Sequence, residues 1–142
     1  METPQLLIEN QVCFPLYSAA NAVVRAYRPM LDELGITYLQ YMVLMVLWQR
    51  KSLNVKELGQ CMYLDSGTLT PLLKRLESKG LVERKRSMED ERVRLISITP
   101  RGMSLKQKAG EIPFKLAAAT GLTEIQGLEL KKLCGQLLQA LG

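Results

Sequence analysis

The segment from Asp65 to Gly80, together with the residues directly after it, constrains the fold more than any other part of the chain. Asp65 or Ser66 can cap the start of a helix, and Gly80 can end it. Four leucines recur at helical spacing on one face, and they are Leu69, Leu72, Leu73 and Leu76. Two runs typical of β-strands follow, at 81–86 and 93–99, joined by a charged tip. The sequence predicts a helix anchored by leucines and then a β-hairpin with a longer loop.

The opposite face of this helix carries hydroxyl and basic side chains. These residues are Ser66, Thr68, Thr70, Lys74 and Arg75. Hydroxyls and cations on one helix face are suited to contact base edges and phosphates in a DNA groove. A groove-reading helix followed by a β-wing is therefore the expected arrangement, and the partner it implies is double-stranded DNA.

The charge of the chain is concentrated on the same segment. Of a net charge of +5, residues 74–104 hold 9 basic and 5 acidic side chains. A phosphate-binding surface requires such an excess, and we count Arg84, Arg86 and Arg94 of the hairpin among the predicted DNA contacts. On charge alone, a solvated charged face is an equal alternative. The position of the charges beside the polar helix face favours DNA.

The chain contains no histidine. This excludes Ser-His and Cys-His nucleophile pairs and histidine metal ligands. The three cysteines, Cys13, Cys61 and Cys134, are too far apart in sequence for a Cys-x-x-Cys site. We expect free thiols, with Cys61 and Cys134 packed in the interior, and neither enzymatic activity nor a metal or cofactor. Judged alone, Cys13 would also be an apolar filler.

Composition points to one globular domain of 142 residues, with 47% apolar and 23% charged residues. No apolar run reaches the roughly 20 residues that span a bilayer. Glu2 and the lack of a basic stretch at the start argue against a secretory signal. We therefore expect a cytoplasmic protein without a membrane partner.

Long helical patterns flank the predicted reading unit. Apolar residues recur over 6–31, and Pro15 predicts a helix start or kink near Cys13 because proline cannot donate to the carbonyl four residues earlier. A second amphipathic pattern follows Thr99-Pro100 and is interrupted at Pro113. A third begins at the capping box Thr123–Gln126 and ends the chain.

Between the flanks, two capping signals predict the start of further helices. Thr37–Gln40 is a capping box that opens a helix to about Gln49, apolar nearly all round and therefore central. Asn54–Glu57 opens a short helix to about Cys61. This short helix, the turn at 62–65 and the leucine-striped helix make a helix-turn-helix.

The predicted fold class is mainly α with a small β-wing, in one domain covering 1–142. The winged helix-turn-helix spans about 37–99, and the helices at about 6–34 and 100–141 are assigned to a dimer interface. Readers of this shape usually act as dimers whose two recognition helices are spaced by one turn of DNA. The alternative is that the terminal helices only cap the core of their own chain.

The segment DSGTLTPLLKRLESKGLVERKRSMEDERVRLISIT and the helix order resemble the MarR family of winged helix-turn-helix regulators. NQVCFPLY near the start, Ala26-Tyr27 and the segment 36–41 resemble, more narrowly, the OhrR-type repressors that sense organic hydroperoxides. The wing pattern DxRxxxLxxT is present as Asp90, Arg92, Ile96 and Thr99, with isoleucine in place of leucine.

The resemblance implies a redox-sensing role for Cys13. An organic hydroperoxide would oxidise its thiol to a sulfenic acid, and the protein would then leave its operator. Tyr27 and Tyr38 would hydrogen-bond this sulfur, with Tyr17 nearby. Asp90 and Arg92 correspond to the wing tip that enters the minor groove.

Helix geometry constrains that arrangement. Tyr17 lies one turn after Cys13 on the same face. Tyr27 lies fourteen residues on, roughly 21 Å along an intact helix. If Tyr27 serves a sensor thiol, that thiol most simply belongs to the second subunit of a homodimer.

The mode of thiol resolution and the signal itself have alternatives. The resolving cysteine of some relatives would align near Ala118, far from Cys134, which favours a single-cysteine mechanism with a low-molecular-weight thiol. A repressor released by a small phenolic ligand keeps the fold and changes the signal.

A thiol peroxidase fits poorly, because Asn10 stands where a Thr-x-x-Cys motif would need threonine. A non-specific nucleoid protein is disfavoured by the modest charge excess.

Overall fold

The computed structural model describes residues 3–142. Two short 3-10 turns at Pro4–Leu6 and Ile8–Asn10 precede the regular elements. The helices are α1 Cys13–Asp32, α2 Tyr38–Arg50, α3 Val55–Met62, α4 Ser66–Ser78, α5 Pro100–Ala109, α6 Ile112–Thr120 and α7 Glu124–Leu141. The strands are β1 Ser52–Asn54, β2 Val82–Arg86 and β3 Arg94–Ile98. The predicted winged helix-turn-helix, mainly helical with a small sheet, is confirmed.

The core sits around α2, as the sequence predicted. Val43, Leu44 and Leu47 have no exposed surface, and Leu58 of α3 packs into the same cluster. The four leucines of the α4 stripe are buried against them. Helix α4 is thus fixed by one apolar face, and its other face is left to solvent.

The capping signals are confirmed as the starts of the helices. Capping boxes open α2 and α7, formed by Thr37 with Gln40 and by Thr123 with Gln126. At the starts of α3, α4 and α5, one side chain accepts a hydrogen bond from the third backbone N–H of the helix, and these side chains are Asn54, Asp65 and Thr99. These bonds are local, so a short stretch of sequence suffices to predict them.

The three-stranded sheet is antiparallel in the order β1-β3-β2. The hairpin of β2 and β3 was predicted, but β1 was not. It is three residues long with one buried side chain, Leu53, which lies opposite Ile96 of β3. A strand this short exists because its partner is present, and its own sequence carries no periodicity to detect.

Helix α1 begins at Cys13 with Pro15 in its first turn, which confirms the predicted start. The helical pattern assigned to residues 6–12 is wrong, since this stretch forms 3-10 turns. Pro15 has no N–H for the carbonyl of Gln11, so the α-helical ladder stops there. Side-chain amides brace the turns instead, with Asn10 Nδ2 donating to the Pro4 carbonyl at 2.8 Å.

The C-terminal region is divided as expected. Helix α5 ends at Ala109, and α6 begins with Pro113 in its first turn. Helix α7 buries none of its residues against the described chain. Its exposed apolar side chains include Ile125, Leu128, Leu130, Leu133, Leu137 and Leu141. Among residues 3–142, no helix is long and apolar enough to cross a membrane.

Helix α5 is locked to α2 and to the start of the wing at Gly102. The indole Nε1 of Trp48 donates to the buried carbonyl of Gly102 at 2.9 Å. A methyl group added to Gly102 would lie 2.2 Å from the carbonyl oxygen of Leu81. Backbone cannot yield as a flexible side chain does, so glycine is required here for close approach.

We predict that Gly102→Ala lowers the free energy of unfolding by about 1 to 3 kcal/mol, the usual cost of overpacking. Urea denaturation at fixed protein concentration measures it. Gly135→Ala on α7 is the matched control, because within the single chain no atom beyond the neighbouring backbone of α7 lies within 4 Å of its added methyl group. There the better helix propensity of alanine should raise stability by up to about 1 kcal/mol. Equal effects of the two substitutions would contradict the close approach at Gly102.

Candidate nucleic-acid interface and thiol site

The start of α4 is held by its cap. The carboxylate of Asp65 accepts from the Thr68 backbone N–H at 2.8 Å, and this bond lowers the pKa of Asp65. Beyond the cap, the predicted DNA-contacting side chains of α4 are all exposed: Ser66, Thr68, Thr70, Lys74 and Arg75. The structure therefore leaves these five residues on the solvent side of α4, with Thr68 and Arg75 turned towards the cleft shared with α1 and α2. Their contact with DNA stays a prediction.

The wing is joined to α4 by an ion pair. Glu77 Oε1 accepts from Arg84 Nη2 at 3.1 Å, and its Oε2 accepts from the Arg84 backbone N–H at 3.3 Å. The Arg84 guanidinium hydrogen bond lowers the pKa of the Glu77 carboxyl. Arg84, predicted as a DNA contact, is thus half-buried and engaged by Glu77. Glu77 was not predicted from the sequence, because this ion pair joins a helix to a strand and not two neighbours on one helix.

Two arginines face each other where the wing leaves the sheet. Arg86 and Arg94 are directly opposed in the register of β2 and β3, and both are exposed. Like charges placed opposite one another on a sheet are unfavourable, and an anion beside them relieves the repulsion. This pair is therefore an electrostatic reason for the wing to bind an anionic partner.

The wing tip is an ordered loop. Asp90 Oδ1 accepts from the Arg92 backbone N–H at 3.0 Å and from Arg92 Nε at 3.4 Å. The loop closes through Ser87 N to Val93 O at 2.8 Å. The side chain of Arg92 is 91% exposed, so Asp90 orients a cation that projects from the protein.

Cys13 is the first residue of α1 and is exposed. Its Sγ lies 4.0 Å from Oε1 of Gln11. Tyr17, one turn further along the same face, is 70% exposed. An accessible sulfur at a helix start, where the helix dipole favours negative charge, meets the steric and electrostatic needs of a reactive thiol.

The other two predicted sensor tyrosines form an aromatic cluster at the junction of α1 and α2. The rings of Tyr27 and Tyr38 are 5.0 Å apart, and the rings of Tyr27 and Tyr41 are 5.6 Å apart. Burial raises the pKa of Tyr27 to about 12, with further contributions from Tyr38 and Tyr41. Burial also raises the pKa of Tyr38. Both phenols are therefore protonated at neutral pH and able to donate.

The thiol and the tyrosine cluster of one chain are separated. Helix α1 is continuous from Cys13 to Asp32, so Tyr27 lies roughly 21 Å along it from Cys13. The structure thus groups Tyr27 with Tyr38, and Cys13 with Tyr17, at different places. Tyr41 belongs to the first group and was not predicted as a site residue, although its spacing of three from Tyr38 on one helix is a signal for it.

The other cysteines differ from the expectation in part. Cys61 is exposed, so its assignment to the core is wrong. The short helix α3 buries Leu58, and Cys61 lies outside that face with Arg50 Nη1 at 3.6 Å from its sulfur. Cys134 on α7 is half-exposed in the single chain. Within residues 3–142, no group of three or more acidic or cysteine side chains is arranged to hold a metal ion.

A cleft of about 540 Å³ lies between α1, α2 and α4. Its walls are mostly apolar, with Ile36 and Leu72 among them, and Arg28 and Arg75 outweigh the single acidic side chain, Asp32. This combination suits an aromatic anion. The walls of the cleft come from three separate elements, so no local sequence pattern indicated its residues.

Residues 25–109 match the family model of the transcriptional regulators SarA/Rot. The chain is 51% identical over 126 residues to the organic hydroperoxide resistance transcriptional regulator of Bacillus subtilis. This alignment covers 89% of this chain and 84% of that protein. It is 38% identical over 123 residues to the regulator SarZ of Staphylococcus aureus, covering 87% of this chain and 83% of that one.

Solved structures agree with these sequence matches. Reduced AbfR bound to DNA, a Staphylococcus epidermidis protein, superposes with a TM-score of 0.80 at 33% identity, over 98% of this chain and 96% of that one. AbfR is also known overoxidised on DNA and with a disulfide formed. A MarR variant from E. coli complexed with operator DNA gives 0.84 at 26% identity, over 97% and 99% of the two chains. The chain therefore belongs to the SarA/Rot and MarR family of winged-helix transcriptional regulators and is not an enzyme.

Proposed function

We propose that this regulator represses transcription from an operator and releases it when an organic hydroperoxide oxidises Cys13. One observation carries the proposal. An exposed thiol begins α1, and two neutral phenols, Tyr27 and Tyr38, are grouped at the junction of α1 and α2, with Tyr27 roughly 21 Å along α1 from that thiol. A second copy supplies the missing sulfur. The redox states known for AbfR and the name of the B. subtilis relative support this assignment.

The chemistry balances with the groups present and two named reactants. The Cys13 thiolate attacks the terminal oxygen of the hydroperoxide, the O–O bond breaks, and the alkoxide leaves as an alcohol after taking a proton. The sulfur is oxidised to a sulfenic acid. A low-molecular-weight thiol then condenses with it, forming a mixed disulfide and water. Phenol donors stabilise the thiolate by hydrogen bonding before the attack.

A homodimer follows from the same separation. The exposed apolar side chains of α7 and of the first turns of α1, such as Phe14 and Leu16, need a partner surface. Pairing of two copies through these helices brings Cys13 of one chain towards Tyr27 and Tyr38 of the other. Sensing and dimerisation then share one interface.

Operator DNA is bound by α4 and the wing. The exposed hydroxyls and cations of α4 enter the major groove, and Arg92 of the wing tip enters the minor groove. Arg86 and Arg94, which lie opposite each other on β2 and β3, both contact the phosphate backbone. Such a regulator acts in the cytoplasm, where the operator is.

A second candidate signal is a phenolic ligand in the cleft between α1, α2 and α4. The observation that favours it is the apolar cleft with Arg28 and Arg75 at its rim. Titration of the operator complex with salicylate, using Cys13→Ser protein, distinguishes the two signals. Release by salicylate in that variant supports the ligand, and release by peroxide only in wild-type protein supports the thiol.

We predict that Cys13→Ser protein binds operator DNA with wild-type affinity and is not released by cumene hydroperoxide. Serine keeps the size of the side chain and removes the oxidisable sulfur. A gel-shift titration in the presence of a small thiol measures the release. Cys61→Ser and Cys134→Ser are the matched controls and should respond as wild-type protein does. Peroxide-dependent release of the Cys13→Ser protein would refute the proposal.

We predict that Tyr27→Phe slows the reaction of Cys13 at pH 7 by about threefold to tenfold, the worth of one hydrogen bond. The variant keeps the ring and loses the donor, so it stabilises the thiolate less. The rate of iodoacetamide alkylation, followed by mass spectrometry across pH 5–9, measures the effect. Tyr63→Phe is the control, since Tyr63 is exposed in the turn before α4 and lies outside the cluster. Identical rates for all three proteins would contradict a donor role for Tyr27.

We predict different outcomes for the two wing arginines. Arg86→Ala should weaken operator binding and lower the slope of log affinity against log salt by about one, because one phosphate contact is lost. Arg84→Ala should chiefly lower the urea concentration at the midpoint of unfolding, because it breaks the ion pair with Glu77 that joins β2 to α4. Equal loss of salt slope in both variants would show that Arg84 leaves Glu77 to contact DNA.

A further inference from the structure

Buried aromatic contacts lead away from the sensor tyrosines. The Tyr41 ring lies 5.6 Å from that of Tyr27 and 6.2 Å from that of Trp48, to which it is nearly edge-on at 67°. Tyr41 is 2% exposed and Trp48 is 8% exposed. Both belong to α2 and lie about two helical turns apart. A displacement of the half-buried Tyr27 ring towards Tyr41 therefore meets a packed interior.

Hydrogen bonds continue the path to the end of the recognition helix. Trp48 Nε1 donates to the Gly102 carbonyl at 2.9 Å, and the Gly102 N–H donates to Thr99 Oγ1 at 3.0 Å. The same Thr99 hydroxyl donates to the carbonyl of Gly80 at 2.6 Å. Gly80 lies two residues after the end of α4 at Ser78, and its N–H donates to the backbone carbonyl of Glu77 at 2.9 Å. Glu77 in turn holds Arg84 of the wing.

The segments at the centre of this path, around Gly102 and Leu81, are tightly packed. Gly102 lies so close to Leu81 that even a methyl group would overlap the Leu81 carbonyl. Thr99 N also donates to that carbonyl at 3.2 Å, so the start of α5 and the chain after α4 are held at two points. A shift of the Trp48 indole must therefore move the start of α5 or break its hydrogen bond.

We propose that Trp48 is the positioning residue through which the sensor tyrosines set the place of the C-terminal end of α4. This inference rests on the proposed function, since it assumes that oxidation of Cys13 disturbs Tyr27. When the sulfur changes, Tyr27 shifts, Tyr41 and Trp48 follow, and the hydrogen bonds through Gly102 and Thr99 carry the change to Gly80. The recognition helix and the wing then leave the geometry that fits the operator.

The unmodified protein provides the first test, because Trp48 is its sole tryptophan. Treatment with cumene hydroperoxide and a small thiol should change the Trp48 emission in the absence of DNA. Cys13→Ser protein should show no change under the same treatment. If intact mass shows Cys13 fully modified while the emission is unaltered, the inference is wrong and the proposed function stands. If Cys13 is not modified, the proposed function fails first.

Trp48→Phe provides the second test. Phenylalanine keeps an aromatic ring against Tyr41 and lacks the N–H that reaches Gly102. The reduced variant should keep operator binding, and Cys13 should oxidise at the wild-type rate. The ratio of the oxidised to the reduced Kd should fall by about threefold to tenfold, since one hydrogen bond is lost. A merely structural role would change both Kd values alike and leave the ratio intact, which would overturn the proposal.

Thr99 supplies a test that leaves the aromatic cluster untouched. Thr99→Ser retains the hydroxyl that joins Gly102 to Gly80, so its Kd ratio should equal that of wild-type protein. Thr99→Val removes the hydroxyl at nearly constant volume, and its ratio should fall as that of Trp48→Phe does. If the ratio of the oxidised to the reduced Kd in Thr99→Val equals that of wild-type protein, the signal reaches α4 by another route and the proposal is wrong.

Discussion

Packing of the α4 leucines against α2 is the constraint on which the rest of the molecule depends. Leu69, Leu72, Leu73 and Leu76 are each at most 5% exposed. Full burial of such a side chain contributes about 1.5 to 3 kcal/mol, so this stripe fixes the rotation of the helix about its axis. Once it is fixed, the hydroxyl and basic side chains can only face outwards. The proposed DNA-reading surface is thus a consequence of core packing, and the pair of Glu77 and Arg84 joins the wing to the same helix.

The parts of the fold that the sequence predicted are those set by neighbouring residues. Helix starts at Thr37, Asn54, Asp65, Thr99 and Thr123 were predictable because a capping side chain bonds to a backbone N–H three residues away. Strand β1 and the exposure of Cys61 were missed because tertiary pairing decides them. The bond from Trp48 to Gly102 joins positions 54 residues apart, and no local pattern encodes it. In the candidate site, Cys13 and the tyrosines were identified through the resemblance, whereas Tyr41 and Glu77 needed the structure.

The proposed division of the thiol site between two copies has a thermodynamic consequence. If the Tyr27 phenol of one chain binds the Cys13 sulfur of the other, any change in that bond also changes the free energy of the interface. Linkage requires the reverse as well, so dimer geometry influences the reactivity of the sulfur. A sensor built on one chain would lack this reciprocity. In the proposed dimer, the exposed apolar faces of α1 and α7 therefore take part in sensing as well as in assembly.

The size of the required switch explains why several weak contacts are arranged in series. Moving a two-state equilibrium from 1:99 to 99:1 takes about 5.5 kcal/mol. A single neutral hydrogen bond contributes only about 0.5 to 1.5 kcal/mol, so the bond between Trp48 and Gly102 cannot supply the whole difference. Two subunits double each contribution, and the opposed charges of Arg86 and Arg94 lose their anionic partner whenever the wing withdraws. Under the proposed mechanism, the response to oxidation is a sum over both halves of the dimer, in which the path through Trp48 sets the direction of the movement and DNA electrostatics sets much of its size.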